Sequence, residues 1–135
     1  LDRRPFHNTG LYNVANEQGE LGYPSKDIGL AEISTLARDN GRFRAPTLRN
    51  IAVTSPYMHD GSIESLSEVI DMYARGGREI TTGEYVGDGK LNSLKSQFIK
   101  GFELSESDKA DLMAFLNTLT DERFLTNPKF QAPRE

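Results

Sequence analysis

The 135-residue sequence contains no cysteine, so no cofactor can be tethered through a thioether from within it. That absence leaves the redox compartment undecided. No apolar stretch approaches the roughly twenty residues a membrane helix needs, and the opening LDRRPF lacks the hydrophobic core of a signal peptide. The chain therefore reads as soluble, with no membrane span. Cations are outnumbered, 16 Lys and Arg against 20 Asp and Glu, and a net charge of -4 argues against nucleic acid as a partner. Histidine is scarce as well, with only His7 and His59 available as imidazole ligands. There is no internal repeat and no low-complexity tract.

At this length the chain is one domain over 1–135, large enough to bury a core without a cofactor. Its 12 Gly and 6 Pro fit a small helical domain with long, structured loops. Residues 1–24 lack a sustained period and read as irregular coil. Asp27 is placed to cap a short helix carrying Ile28, Leu30, Ile33 and Leu36, and Pro46 suits the first turn of another over 47–52. Pro56 and Gly61 bracket a turn that presents Tyr57, Met58 and His59.

The strongest local signal is Ser65 with Glu68, an S-x-x-E capping box that satisfies two otherwise free backbone amides. Leu66, Val69, Ile70 and Tyr73 follow at i, i+3, i+4 and i+7, a stripe that points Tyr73 inward and leaves Met72 one position off it. Gly76 and Gly77 then end the helix. Residues 78–102 read as a surface excursion, whose DGKLN (Asp88 to Asn92) lacks the spacing and closing Glu of a calcium loop. Ser105 and Asp108 open a last helix with Leu112, Phe115, Leu116 and Leu119 as its apolar stripe. The tail over 122–135, with Pro128 and Pro133, reads as extended.

Arg38, Arg42, Arg44 and Arg49 fall within a dozen positions, a density that suits the carboxylates of a bound ligand, with a solvated surface as the plainer reading. Of these, Arg44 and Arg49 are the candidates for pairing with such carboxylates, and Arg75 is a weaker third. His59 has a side chain able to ligate a metal or move a proton near neutral pH, although a lone histidine in a turn is more often a hydrogen-bonding group.

Three linked blocks, FRAPTLRN (Phe43 to Asn50), PYMHDGS (Pro56 to Ser62) and SLSEVIDMYARGG (Ser65 to Gly77), resemble the second haem domain of bacterial di-haem cytochrome c peroxidases and their MauG-type relatives. FHNTGLYNV (Phe6 to Val14) and LSESDKADLMAFLNTLTD (Leu104 to Asp121) extend the match over most of the chain. The resemblance implies an all-α, cytochrome c-like helical domain with long irregular loops. It further implies the carboxyl-terminal part of a larger periplasmic di-haem oxidoreductase, catalytically silent by itself. One departure is severe: the family tethers each c-type haem through C-x-x-C-H, which these residues lack. The simplest account is a fragment beginning just after that motif. A haem-free structural or interaction module that kept the fold is the alternative.

Residue by residue, the resemblance assigns Tyr73, fourteen positions beyond His59, as the axial ligand of the haem iron. It sets Met58 against a porphyrin edge, His59 near the haem, and Arg44 and Arg49 at the propionates. The backbone carbonyls of Thr54 and Pro56 would contribute to a calcium ion between two domains. The implied partners are the N-terminal haem domain of the same parent and an electron-donor protein.

Overall fold

A computed structural model describes residues 6–130. Its two principal helices begin at the serines read from the sequence. In α2 (Leu66–Arg75) the Ser65 side chain accepts from the Glu68 amide while the Glu68 carboxylate takes the Ser65 amide, closing the capping box. In α3 (Glu106–Thr118) Ser105 and Asp108 do the same. Each cap is worth about 1 kcal/mol. Gly76 terminates α2 at φ 86, a conformation that favours a residue without Cβ. The following chain then folds back, and the Phe102 amide bonds the Ala74 carbonyl at 2.9 Å.

The expected all-α architecture is not what the chain adopts. Helical turns of all kinds take up 34% of the described residues and strand pairings 13%, which makes the fold mixed α/β. The pairings are short antiparallel ladders: β1 (Phe6–His7) with β4 (Phe43–Arg44), β2 (Val14–Ala15) with β3 (Leu21–Gly22), and β5 (Glu79–Ile80) with β6 (Gly87–Asp88). Two-residue strands show no alternation for a sequence pattern to reveal. Among the described residues, 6–24 and 78–102, read as coil and excursion, contain every strand but β4.

Shorter helices also differ from expectation. The helix after Asp27 shrinks to α1 (Ala31–Ser34), leaving Ile33 85% exposed, and Asp27 caps nothing because its carboxylate faces His59. The helix expected over 47–52 is a single 3-10 turn, Ile51–Val53. Asn50 blocks its extension by sitting at φ 63, from where its amide reaches the Leu119 carbonyl and its side chain receives the Asp121 amide. The tail is not extended throughout: α4 (Glu122–Leu125) and a 3-10 turn at Pro128–Phe130 occupy its start, while Pro133 lies outside the described residues.

The core is one cluster joining Leu11, Tyr12 and Tyr23 to Tyr57, Ile63, Leu66, Ile70, Met72 and Leu116. Burying aliphatic side chains of this size contributes about 1.5–3 kcal/mol apiece. Polar residues close it on one side. Asn8, fully buried, takes the Gly10 amide on its carbonyl oxygen and donates to the Asn40 carbonyl and to Asn92 Oδ1, and Asn92 in turn donates to the Tyr12 carbonyl. Gly89 meets Gly10 there so closely that an added Cβ would stand 1.8 Å from the Gly10 oxygen.

Candidate functional site

Helix α2 and the loop before it carry most of the candidate residues. Leu66 and Ile70 are buried, whereas Val69 and Tyr73 pack half-buried against the cluster. Met72, one position off the stripe, is nevertheless 5% exposed. The helix is covered on more than one side, by α3 and by the returning chain near Phe102, so its buried arc is wider than a single stripe.

Tyr73 presents the distinctive chemistry. Among the described residues its hydroxyl has no hydrogen-bond partner, yet its oxygen is not sealed from the surface. Burial pushes the phenol above its ordinary 10.0, with no neighbouring charge opposing the shift. Partial burial penalises the phenolate, and no protein donor offsets that penalty. A cation at the oxygen would stabilise the phenolate directly and reverse that penalty. The donor thus fits an iron ligand, and the fit rests on an unsatisfied oxygen open to approach.

In the preceding loop, Tyr57 and Ile63 exchange backbone hydrogen bonds at 2.7 and 3.4 Å, and the Tyr57 hydroxyl donates to the Ile51 carbonyl. The turn between them passes through Met58 at φ 72, and the Met58 side chain packs half-buried against the core. His59 Nε2 lies 2.6 Å from Asp27 Oδ2, and its ring stacks on Phe43 with centroids 3.5 Å apart. His59 is held as a hydrogen-bonding group. Thr54 and Pro56 are exposed just ahead of this loop, with the Thr54 hydroxyl donating to the Ile51 carbonyl. Among the described residues, no three His, Cys, Asp or Glu side chains gather as a metal site.

The arginines serve different elements. Arg44 is exposed on β4. Arg49 pairs with Asp121 and lies over the Phe124 ring, 5.9 Å from its centroid. Arg75 grips Asp88 with two hydrogen bonds of 2.6 and 2.9 Å and reaches Glu79 at 3.2 Å, so it braces the β5–β6 hairpin. Arg78 donates to the Ser62 hydroxyl and carbonyl.

Sequence reasoning missed one pair of chemical interest. The buried Tyr12 hydroxyl donates to Asp60 Oδ2 at 2.6 Å, and the Ser62 amide holds Oδ1 at 3.0 Å. Burial works against the Asp60 charge, but the bonds from Tyr12 and Ser62 outweigh it and keep the carboxyl below its ordinary 3.8. No periodicity marks a contact across 48 positions.

Set beside known proteins, the chain has relatives named as MauG and cytochrome-c peroxidase. No protein-family model matches the chain. The MauG methylamine utilization protein of Methylorubrum extorquens is 41% identical over 117 residues, covering 87% of this chain and 27% of that protein. Cytochrome-c peroxidase IdrP1 of a Pseudomonas species is 39% identical over 94 residues, 70% of this chain and 22% of that protein. Among solved structures, a MauG-like protein associated with microbial copper homeostasis superposes with a TM-score of 0.89 at 50% identity, covering 97% of this chain and 39% of that one. The chain belongs to the cytochrome c peroxidase/MauG family, whose members carry c-type haem. It spans about a quarter of the length of these curated relatives.

Proposed function

We propose that the chain forms the distal wall of a c-type haem pocket, as the carboxyl-terminal part of a di-haem oxidoreductase that reduces peroxide in the periplasm. The observation that carries this reading is the half-buried, unpartnered hydroxyl of Tyr73 on the capped helix α2. The haem, when bound, supplies reversible one-electron chemistry. The thioether tether has to come from residues outside the chain, since none of these is cysteine.

In this reading Tyr73 would hold the iron through its phenolic oxygen, which would have to be deprotonated to do so. Anionic oxygen favours the ferric over the ferrous state, whereas a thioether does the opposite. Met58 would cover a porphyrin edge from its half-buried place in the loop. Arg44 and Arg49 would donate to the propionates, Arg49 giving up its bond with Asp121 to do so. His59, fixed by Asp27, shapes the loop beside the pocket and does not bind iron. The carbonyls of Thr54 and Pro56 contribute to a calcium ion at the boundary with the N-terminal haem domain, the chain's principal partner. An electron-donor protein completes the circuit. In the haem-loaded longer protein, Tyr73→Met should raise the reduction potential of this haem, and an unchanged potential counts against the assignment.

A further inference from the structure

We infer that Tyr12 is a redox-active tyrosine whose proton acceptor is Asp60 and whose outlet to the surface is Tyr85. The inference draws its oxidant from membership of an oxidoreductase family and does not depend on ligation of iron by Tyr73.

The chain has five tyrosines, and their hydroxyls are treated differently. Tyr57 donates to a backbone carbonyl, Tyr23 accepts from the Leu11 amide, and neither Tyr73 nor Tyr85 has a hydroxyl partner among the described residues. Tyr12 alone donates to a carboxylate. Asp60 is itself fixed, because the Ser62 amide binds its other oxygen and Arg78 clamps Ser62 by side chain and carbonyl. Removing an electron from a buried phenol would leave a cation in a poorly solvating site, which is costly unless the proton departs with it. Across 2.6 Å the proton has a receiver already in place.

The surroundings supply a route. The Tyr12 ring meets Tyr85 edge-on with centroids 5.5 Å apart and Tyr23 at 5.6 Å. Tyr23 and Tyr85 both line a surface cleft of about 530 Å³, flanked by Val14, Lys26 and Glu84. Burial pushes Tyr23 up to about 12 and gives it no carboxylate to receive a proton, so it is the poorer site for oxidation. The step balances as follows: Tyr12 passes one electron to a one-electron oxidant of the iron-porphyrin class, and its phenolic proton moves to Asp60. A neutral phenoxyl and a neutral carboxyl result. A one-electron reductant in the cleft returns the electron by way of the Tyr85 ring, and the proton moves back.

The chain itself suffices for the test, with photogenerated ruthenium(III) tris-bipyridine as oxidant and the phenoxyl followed by transient absorption and EPR. The double variant Tyr73→Phe, Tyr85→Phe serves as the background, because it removes the two half-buried, unpartnered phenols that the oxidant could attack directly. Tyr12→Phe should abolish most of the remaining radical, whereas Tyr23→Phe should leave it. Asp60→Asn should slow its formation about 100-fold, the scale of a lost positioned base. Formation should also be slower in D2O, a comparison that needs no change at Tyr12 or Asp60. A radical that persists at full yield in Tyr12→Phe overturns the inference. So does an Asp60→Asn rate equal to its background, or an absent solvent isotope effect.

Discussion

His59 Nε2 lies 2.6 Å from Asp27 Oδ2, joining the loop around Met58 to the turn ahead of α1 across 32 positions. The same imidazole lies nearly parallel on Phe43, at 13°. Replacing it removes both contacts at once. His59→Ala should cost about 1–2 kcal/mol, combining a hydrogen bond to a charged group with lost ring contact. Urea denaturation of the two proteins measures this, and equal midpoints would show that the clasp contributes nothing.

Acid should weaken the fold through identifiable carboxylates. The Arg75 hydrogen bonds hold Asp88 below its ordinary 3.8, and Asp60 is held low by Tyr12 and Ser62 against the effect of burial. A carboxyl depressed in the folded state contributes stability above its unfolded value, and the contribution is lost as pH falls through the folded one. Stability should therefore be level from neutrality down to roughly pH 4 and then decline. Asp88→Asn should flatten part of that decline. Parallel acid titrations of wild type and variant, followed by circular dichroism, would contradict this if their slopes matched.

Gly89 and Gly83 form a contrast. A Cβ on Gly89 collides with the Gly10 carbonyl backbone, whereas one on Gly83 meets nothing within 4 Å and suffers only from φ 92. Gly83→Ala should cost about 1–2 kcal/mol from the left-handed conformation. Gly89→Ala should cost more than about 4 kcal/mol or prevent folding, because both partners are backbone. Thermal melts that rank the two variants the other way would refute the packing described around Asn8.

The last helices leave apolar side chains uncovered. Of the four residues expected to form the stripe of α3, Leu116 is buried, Leu119 is partly covered, Leu112 lies at the margin, and Phe115 is 56% exposed. Phe124 and Phe130 stack on each other nearby in the chain while staying largely open. The isolated chain should self-associate with rising concentration, and Phe115→Ser should lessen it. Light scattering that reports a monomer at every concentration would exclude this.

What the sequence made legible was local. Ser65 and Ser105 declared their helices because a cap and its reciprocal acid lie three residues apart, and the half-burial of Tyr73 followed from the spacing of Leu66 and Ile70. Met72, off the stripe, is buried all the same, because a stripe describes one contact face whereas α2 is covered by α3 and by the chain near Phe102. The hairpins escaped notice since two-residue strands carry no period. Asn8, Asn92 and the Tyr12–Asp60 pair escaped because polar burial is decided by partners many positions away. Arg49 and Arg75 pair in the fold with Asp121 and Asp88, partners 72 and 13 positions away that no local pattern marks.

The central claim concerns one oxygen atom, and resonance Raman spectroscopy of the ferric, haem-loaded longer protein addresses it most directly. Excitation within a phenolate-to-iron charge-transfer band should enhance tyrosine ring modes that move when the tyrosines are ring-deuterated and vanish in Tyr73→Phe. Ring modes that survive Tyr73→Phe, or a wild-type spectrum without them, would mean that Tyr73 is a core tyrosine and not an iron ligand.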